Sequence, residues 1–463
     1  MTKRYAWYML LILTAINFVN YVDRQIVISL GPFIRQDLEL TYLQFGWLIT
    51  MFMLIHSIAS VPFGILSDRW IRRKIIALGV FFWSAATLAS GLATNFAQLL
   101  AGRAAVGIGE AAYAPPANSL LSDVFPVEER ARILGLFNVG MFMGGAAGLI
   151  LGGVLGDWIG WRHSLFLVSA PGFLLAGLGW KLREPPLMTT HQPTALRALF
   201  RSHMQVYVVV GGLLGGAVAA LTNHSLFGTL IYVCILAGAA AGVLAALRNR
   251  MLQYIFSGGI VTAFSVGALI VWMPQFVTDI RYFRPRDAGL LIGAVGVTGG
   301  LMGVMVGSYL ADWLYVRWPW GRMATIGMGL ILSSPFVMLA LNTTNHIAML
   351  AHFFLAVFFI VWYTGPIIAV IHDVVPSDVK ATAQALYIFL IHLLGDTFSP
   401  PIVGWFADRI GLQQALQPLA ILNVLGGVVF LVACRGIARE KRQGRNNGSI
   451  DTPELPRTGT TGL

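Results

Sequence analysis

The sequence predicts an all-α polytopic membrane protein: two six-helix bundles with an inserted two-helix hairpin, fourteen spans in all. Three observations predict it. First, 57% of the 463 residues are hydrophobic and only 11% are charged, where a soluble domain carries about a quarter charged residues; the mean hydropathy is +0.74. Second, the apolar residues gather into runs of the ~20 residues needed to cross a hydrocarbon core. Third, the chain repeats itself. "SDVFPVEERARILGLF" (122–137) resembles "HDVVPSDVKATAQALY" (372–387), and "GVLGDWIG" (153–160) resembles "GWFADRIG" (404–411). A looser pair is "GILSDRW" (64–70) with "GSYLADW" (307–313).

Taken in chain order, the first span is expected at 6–33. Its basic start looks like a signal peptide, but the apolar run outlasts an h-region and no small-residue cleavage site follows. Within it lie Asn17, Asn20, Tyr21, Asp23 and Arg24. Asp23 is 16 residues past Trp7, roughly 24 Å along the axis and so in the outer third of a ~30 Å core. The second span, 45–66, carries His56 near its middle, and Asp68, Arg69 and Arg73 follow it. The third and fourth are expected at 75–93 and 97–121. Arg103 lies at about the depth of Asp23, and Glu110, two turns later on the same face, is nearer the midplane. Spans five and six, 133–156 and 164–182, complete the first bundle (1–182). The glycines of "GMFMGGAAGLILGGVLG" (140–156) permit close helix contact.

A cytoplasmic linker (183–203) leads to the hairpin (204–250), with spans at 204–221 and 226–247. An inserted hairpin adds an even number of crossings, so the second bundle (251–436) keeps the orientation of the first. Its spans are expected at 252–277, 288–311, 323–342, 346–371, 381–407 and 413–434. His392 and Asp396 are four apart and share a helix face. The polar tail, 437–463, is expected to be disordered and cytoplasmic.

The net charge of +11 invites a nucleic-acid reading, but its distribution argues against one. With the N-terminus cytoplasmic, 23 of the 31 Lys and Arg residues fall on the cytoplasmic side and six on the other, with Arg24 and Arg103 inside spans. This is the positive-inside pattern, with both termini cytoplasmic. The two cysteines, Cys234 and Cys434, suggest neither a disulfide framework nor a metal site. HExxH, GxSxG and Walker A strings are missing, so neither an enzyme nor an ATP-driven pump is expected.

The motifs carry a resemblance. "GILSDRWIRRK" is similar to the loop between the second and third helices of the major facilitator superfamily, although Ile71 stands where many members have glycine. "NYVDR", "RAAVGIGEAAYAPPANSLLSDVFPVEERARILGLFNVG" and "LREPP" resemble the first half of its spinster-like transporters, and "IHLLGDTFSPPIVGWFAD" (391–408) the second half. The first-half strings also resemble the anion:cation symporters, which carry sugar acids and other organic anions. The resemblance implies the major facilitator fold, a bacterial inner-membrane location, and a secondary transporter working by alternating access. It further implies a lysolipid-like, amphipathic or organic anion as cargo. A monomer without cofactor or metal is expected. A transporter-like membrane sensor is the reading from another class.

Intramembrane charge is costly, which makes each such group a functional candidate. Asp23 and Glu110 are the expected proton-coupling carboxylates; a static salt-bridge cluster is the structural alternative. Arg24, Arg103, Tyr21, Tyr113, His56 and His392 are the expected substrate contacts. For the histidines and tyrosines, packing or interhelical hydrogen bonds compete with that role. Asp68, Arg69, Arg73, Asp157, Asp312 and Asp408, at helix ends, are the expected gating charges. Protons and the bilayer are the remaining expected partners.

Overall fold

The computed structural model of the protein describes residues 2–67, 70–126, 129–184, 250–374 and 380–446. The expected hairpin, most of the linker, Asp68, Arg69 and residues 447–463 lie outside the described residues. The described residues form helices without strands.

Several expected spans are broken, each where the sequence withdraws a hydrogen-bond donor or supplies a glycine. Helix α1 (Lys3–Ser29) ends before the expected residue 33, and α2 (Gly31–Asp37) restarts with Pro32 in its first turn. Helices α3 (Tyr42–Ser67) and α4 (Arg72–Gly91) follow. The expected span 97–121 is two helices, α5 (Phe96–Ala111) and α6 (Ala114–Val124), because Pro115 and Pro116 cannot continue the hydrogen-bond ladder. Helix α7 (Arg130–Trp180) contains both of the next expected spans. It folds at Gly160, whose φ of 77° other residues adopt only with strain.

The second half holds α8 (Arg250–Asp279), α9 (Pro285–Arg317) and α10 (Gly321–Asn342). Next come α11 (His346–Ile360), a 3₁₀ turn (Val361–Tyr363) and α12 (Pro366–Val374). This break repeats the α5–α6 break, with Tyr363 standing where Tyr113 stands in the first half. The expected span 381–407 is α13 (Lys380–Ile391), a π-helical turn (His392–Asp396) and α14 (Ser399–Ile410), which opens on Pro400 and Pro401. Helix α15 (Leu412–Asn446) runs into the segment expected to be disordered from 437.

Ten helical stretches of the described residues are long and apolar enough to cross a membrane. One of them, Leu136–Trp180, has 45 residues and crosses twice because it folds at Gly160. The α5–α6 pair, which is more polar, adds one more crossing. Six crossings therefore precede residue 184 and six follow residue 250.

The halves join at one end. A single apolar core links Ile26, Leu30, Phe45 and Leu48 of the first half to Trp272, Phe276 and Phe398 of the second. A second core, with Met9, Ile16, Trp83 and Tyr113, belongs to the first half alone. Two seams close the joined end. Helix α3 meets α14 so tightly that a Cβ on Gly46 would lie 2.6 Å from the Pro401 backbone. Helix α7 meets α9, where a Cβ on Gly153 would lie 2.7 Å from the Pro285 carbonyl. Further along these two helices Val139, Met143, Leu301 and Met305 are exposed.

Polar contacts cluster at the same joined end. Both carboxylate oxygens of Asp408 accept from the first turn of α3, from the amides of Tyr42 (2.8 Å) and Leu43 (2.9 Å). Arg35 donates to Asp279 at 2.7 Å and to Gln275 at 3.2 Å, and lies over the Tyr42 ring. The Tyr42 hydroxyl donates to Asp279 at 2.8 Å. Deeper, Thr50 donates to the Thr397 carbonyl. At the opposite end the ion pairs lie within each half. Arg72 binds Asp123 and Glu184, and Arg322 binds Asp312 and Asp373.

Candidate functional site

Close helix contacts bring the polar side chains of the first half together. Gly107 lets α5 approach α3, since its Cβ would sit 2.7 Å from the Phe52 carbonyl. Gly109 does the same for α5 against Trp83 of α4. Gly148 and Gly152 seat α7 against the carbonyls of Val22 and Ile26 on α1. Helices α1, α3, α4 and α5 thus converge on one polar cluster.

At its centre Arg24 Nε donates to Glu110 Oε2 at 2.6 Å. The guanidinium also meets His56 Nε2 at 2.8 Å through Nη2. Glu110 is fully buried, whereas the Arg24 side chain is 22% exposed. Tyr21 and Phe52 lie 5.0 and 5.3 Å from the Arg24 guanidinium, and the Arg103 guanidinium lies 4.7 Å from the same Phe52 ring. Asp23 is buried and accepts from the Thr87 hydroxyl at 2.7 Å.

The ion pair of the cluster is therefore Arg24–Glu110. The sequence-based depths placed Asp23 beside Arg103, and each is the other's strongest charged neighbour, although no direct ion pair joins them among the described residues. Axial depth alone does not fix the rotation of a helix, and Arg24, one residue on, points elsewhere. Asp23, Arg103 and Glu110 remain close enough to act on one another electrostatically. Three atoms of the cluster have no hydrogen-bond partner, Asp23 Oδ1, Glu110 Oε1 and Arg103 Nε, and neither has Asn20 Nδ2, three residues before Asp23. Buried polar atoms are normally paired, so this concentration is unusual.

With both carboxylates ionised, Asp23, Glu110, Arg24 and Arg103 sum to zero. A proton on either carboxylate leaves the cluster positive. Arg24 is the exposed cation of the cluster, facing the space between the halves, the cleft, to which His392 of the second half is also exposed. A buried pair that loses one partner leaves an uncompensated charge, which is costly, so protonating Glu110 would turn Arg24 towards another anion.

Across the cleft, the second half contributes His392. Its Nδ1 lies 2.7 Å from Asp396 Oδ2, and its side chain is 52% exposed although it sits midway along its helix pair. The π turn that carries it shifts the helical register by one residue, a device common at functional sites. His392 is within electrostatic reach of His56 and Arg24.

The structure thus brings Asp23, Arg24, Arg103, Glu110, His56 and Tyr21 into one cluster, with His392 facing it. Tyr113 lies within electrostatic reach of Tyr21 but is packed away from the ion pair. It is 1% exposed, donates to the Leu13 carbonyl and packs edge-on against Trp83. Among the expected gating charges, Asp408 lies in the α3–α14 seam and Asp312 is bound to Arg322. Arg73 donates to the carbonyls of Trp180 and Leu182. Asp157 is exposed at the position that repeats Asp408.

Sequence reading missed Thr87, Arg35, Tyr42, Asp279, Arg72, Asp123 and Glu184. The repeat held a signal for two of them, since Arg72 and Asp123 recur 250 residues later as Arg322 and Asp373. The Arg35–Asp279 pair had none, because its members lie 244 residues apart in unrelated strings.

Comparison with known proteins places this geometry. A model of the Major Facilitator Superfamily matches residues 13–393. Protein spinster of Drosophila melanogaster is 27% identical over 417 residues, covering 88% of this chain and 63% of the fly protein. The chain therefore spans somewhat less than two thirds of that relative. Human protein spinster homolog 1 is 27% identical over 464 residues, covering 93% of this chain and 81% of its own. Among solved structures, a bacterial homolog to the human lysosomal transporter Spinster, in an inward-facing and unoccupied conformation, superposes with a TM-score of 0.76 at 22% identity. That match covers 98% of this chain and 100% of the other. The peptide transporter POT shares the fold more distantly, with a TM-score of 0.68 at 14% identity, over 94% of this chain and 95% of its own.

Proposed function

Since this chain belongs to the Major Facilitator Superfamily, a class of membrane transporters, we propose that it is a proton-coupled, alternating-access carrier of an amphipathic or organic anion of lysolipid type. One observation carries the reading: a buried carboxylate, Glu110, is paired with the one arginine of the cluster that reaches the cleft, Arg24. Proton and anionic cargo then act on opposite members of one ion pair, the proton on Glu110 and the anion on Arg24. A proton arriving at Glu110 releases Arg24, whose planar fork suits a phosphate or carboxylate head. Tyr21 and Phe52 beside it offer an apolar, aromatic wall to the rest of the molecule.

The conformation fits the cycle. The Lys and Arg distribution supports an outer position for the joined end, with a cleft that opens inward in this scheme. Asp23 is the second proton site in this scheme, and His392 contacts cargo from the opposite half. Asp408, Asp312 and Arg73 serve the gates.

The test uses purified protein in liposomes with an imposed pH gradient, and labelled lysophospholipids and sugar acids as probes. Gradient-driven uptake of lysophospholipid is expected in the wild type and its loss in Glu110→Gln and Asp23→Asn. Unchanged gradient-driven uptake in both variants overturns proton coupling. Uptake of sugar acids alone overturns the lysolipid assignment.

A further inference from the structure

We infer that Thr87 on α4 is a positioning residue for the proton site, its hydroxyl holding the Asp23 carboxylate in the rotamer that faces Arg103 and Glu110. The inference rests on the proton-coupled reading above.

Three observations support it. Hydroxyl residues in helices commonly return their proton to a carbonyl in the preceding turn. Two neighbours on the same helix do so: Ser84 donates to Val80 at 2.7 Å and Ser90 to Ala86 at 2.8 Å. Thr87, between them, donates across to Asp23 Oδ2 at 2.7 Å. Next, the contact is sealed, with Asp23 2% exposed and Thr87 1% exposed, so no water competes for it. Last, the other oxygen, Asp23 Oδ1, is unpartnered. The carboxylate is therefore tethered by one oxygen, while the other is buried without a donor and has Glu110 as its neighbour, which leaves it an acceptor site for a proton.

The groups facing Asp23 come from every element around it. Arg24 and Tyr21 lie on its own helix, Arg103 and Glu110 on α5, and His56 on α3 behind Arg24. A hydroxyl can donate to the ionised carboxylate and accept from the protonated acid, so Thr87 can stay bonded through both states. An alkyl group of the same shape can do neither.

The experiment needs no cargo. The carboxylic C=O stretching band is followed by infrared difference spectroscopy against pH in purified, lipid-embedded protein, and the Asp23 component is identified by its loss in Asp23→Asn. Thr87→Val, which keeps the shape and removes the hydroxyl, is expected to move the midpoint of that component to higher pH by about one unit. Thr87→Ser is expected to restore it. The same variants are then assayed for gradient-driven lysophospholipid uptake, where Thr87→Val shifts the pH profile in the same direction.

An unmoved midpoint in a folded Thr87→Val protein, alongside an Asp23→Asn variant that has lost coupling, overturns the role of Thr87 alone. If Asp23→Asn keeps both the band and the coupling, Asp23 is not a proton site and this inference falls; if Glu110→Gln keeps the coupling as well, the proton-coupled reading fails with it. A shift that Thr87→Ser does not restore identifies a packing effect and also overturns the inference.

Discussion

Arg24 carries two loads at once, an ion pair with Glu110 and a contact with His56, while part of its side chain reaches the cleft. The pair is buried on the Glu110 side, so removing one partner should cost more than removing both. In thermal unfolding of the lipid-embedded protein, Arg24→Ala is expected to be more destabilising than the double variant Arg24→Ala/Glu110→Gln. The coupling energy between the two sites should be about 1–3 kcal/mol. Additive effects would mean that the two side chains do not interact. The candidate residues were legible in the sequence because charge in an apolar run is conspicuous. Their pairing was not, since it depends on how far each helix is rotated about its axis, and no string records that. Tyr113 illustrates the point: one turn beyond Glu110 in sequence, it faces a packed aromatic core rather than the cleft.

At the level of elements, the breaks are the informative features. Helices α6, α12 and α14 each open on proline, and each restart redirects a span. The prolines were visible in the sequence, but whether they kink a span or divide it was settled by packing. Helix α3 has a different kind of terminus. Its first amides are capped by Asp408 from the other half, so the cap exists only while the joined end is closed. Losing such a cap costs about 1 kcal/mol, enough to move a two-state equilibrium about fivefold. Asp408→Ala is therefore expected to populate the form open at this end. Spin labels at Glu39 and Ile410, in a background lacking Cys234 and Cys434, would report it as a longer distance. Asp157→Ala should leave that distribution unchanged. The helix facing it begins with Pro285, which has no amide hydrogen to give a carboxylate. An equal shift in both variants would refute the capping role.

For the whole molecule, the two seams differ in kind. The α3–α14 seam combines glycine contact with hydrogen bonds, and the α7–α9 seam is close contact of Gly153 with Gly289 and Pro285. A larger side chain at Gly153 meets backbone on the other helix, which cannot yield as a flexible side chain can. Gly153→Leu is expected to hold the joined end apart and to stop cycling. It should also leave each half folded, because the six-helix units keep their own packing. A lengthened label distance with lost uptake would agree; normal uptake would not. The sequence by itself determined the membrane class, the repeat of two six-span units, the orientation signal and the charged residues inside the spans. Each of these follows from local composition or spacing, which the solvent and the bilayer read directly. Only the tertiary structure decided which arginine meets which carboxylate, that Thr87 bonds Asp23, and that the halves touch at one end. Those outcomes depend on helix rotation and on contacts between residues hundreds of positions apart, where packing rather than pattern selects the partner.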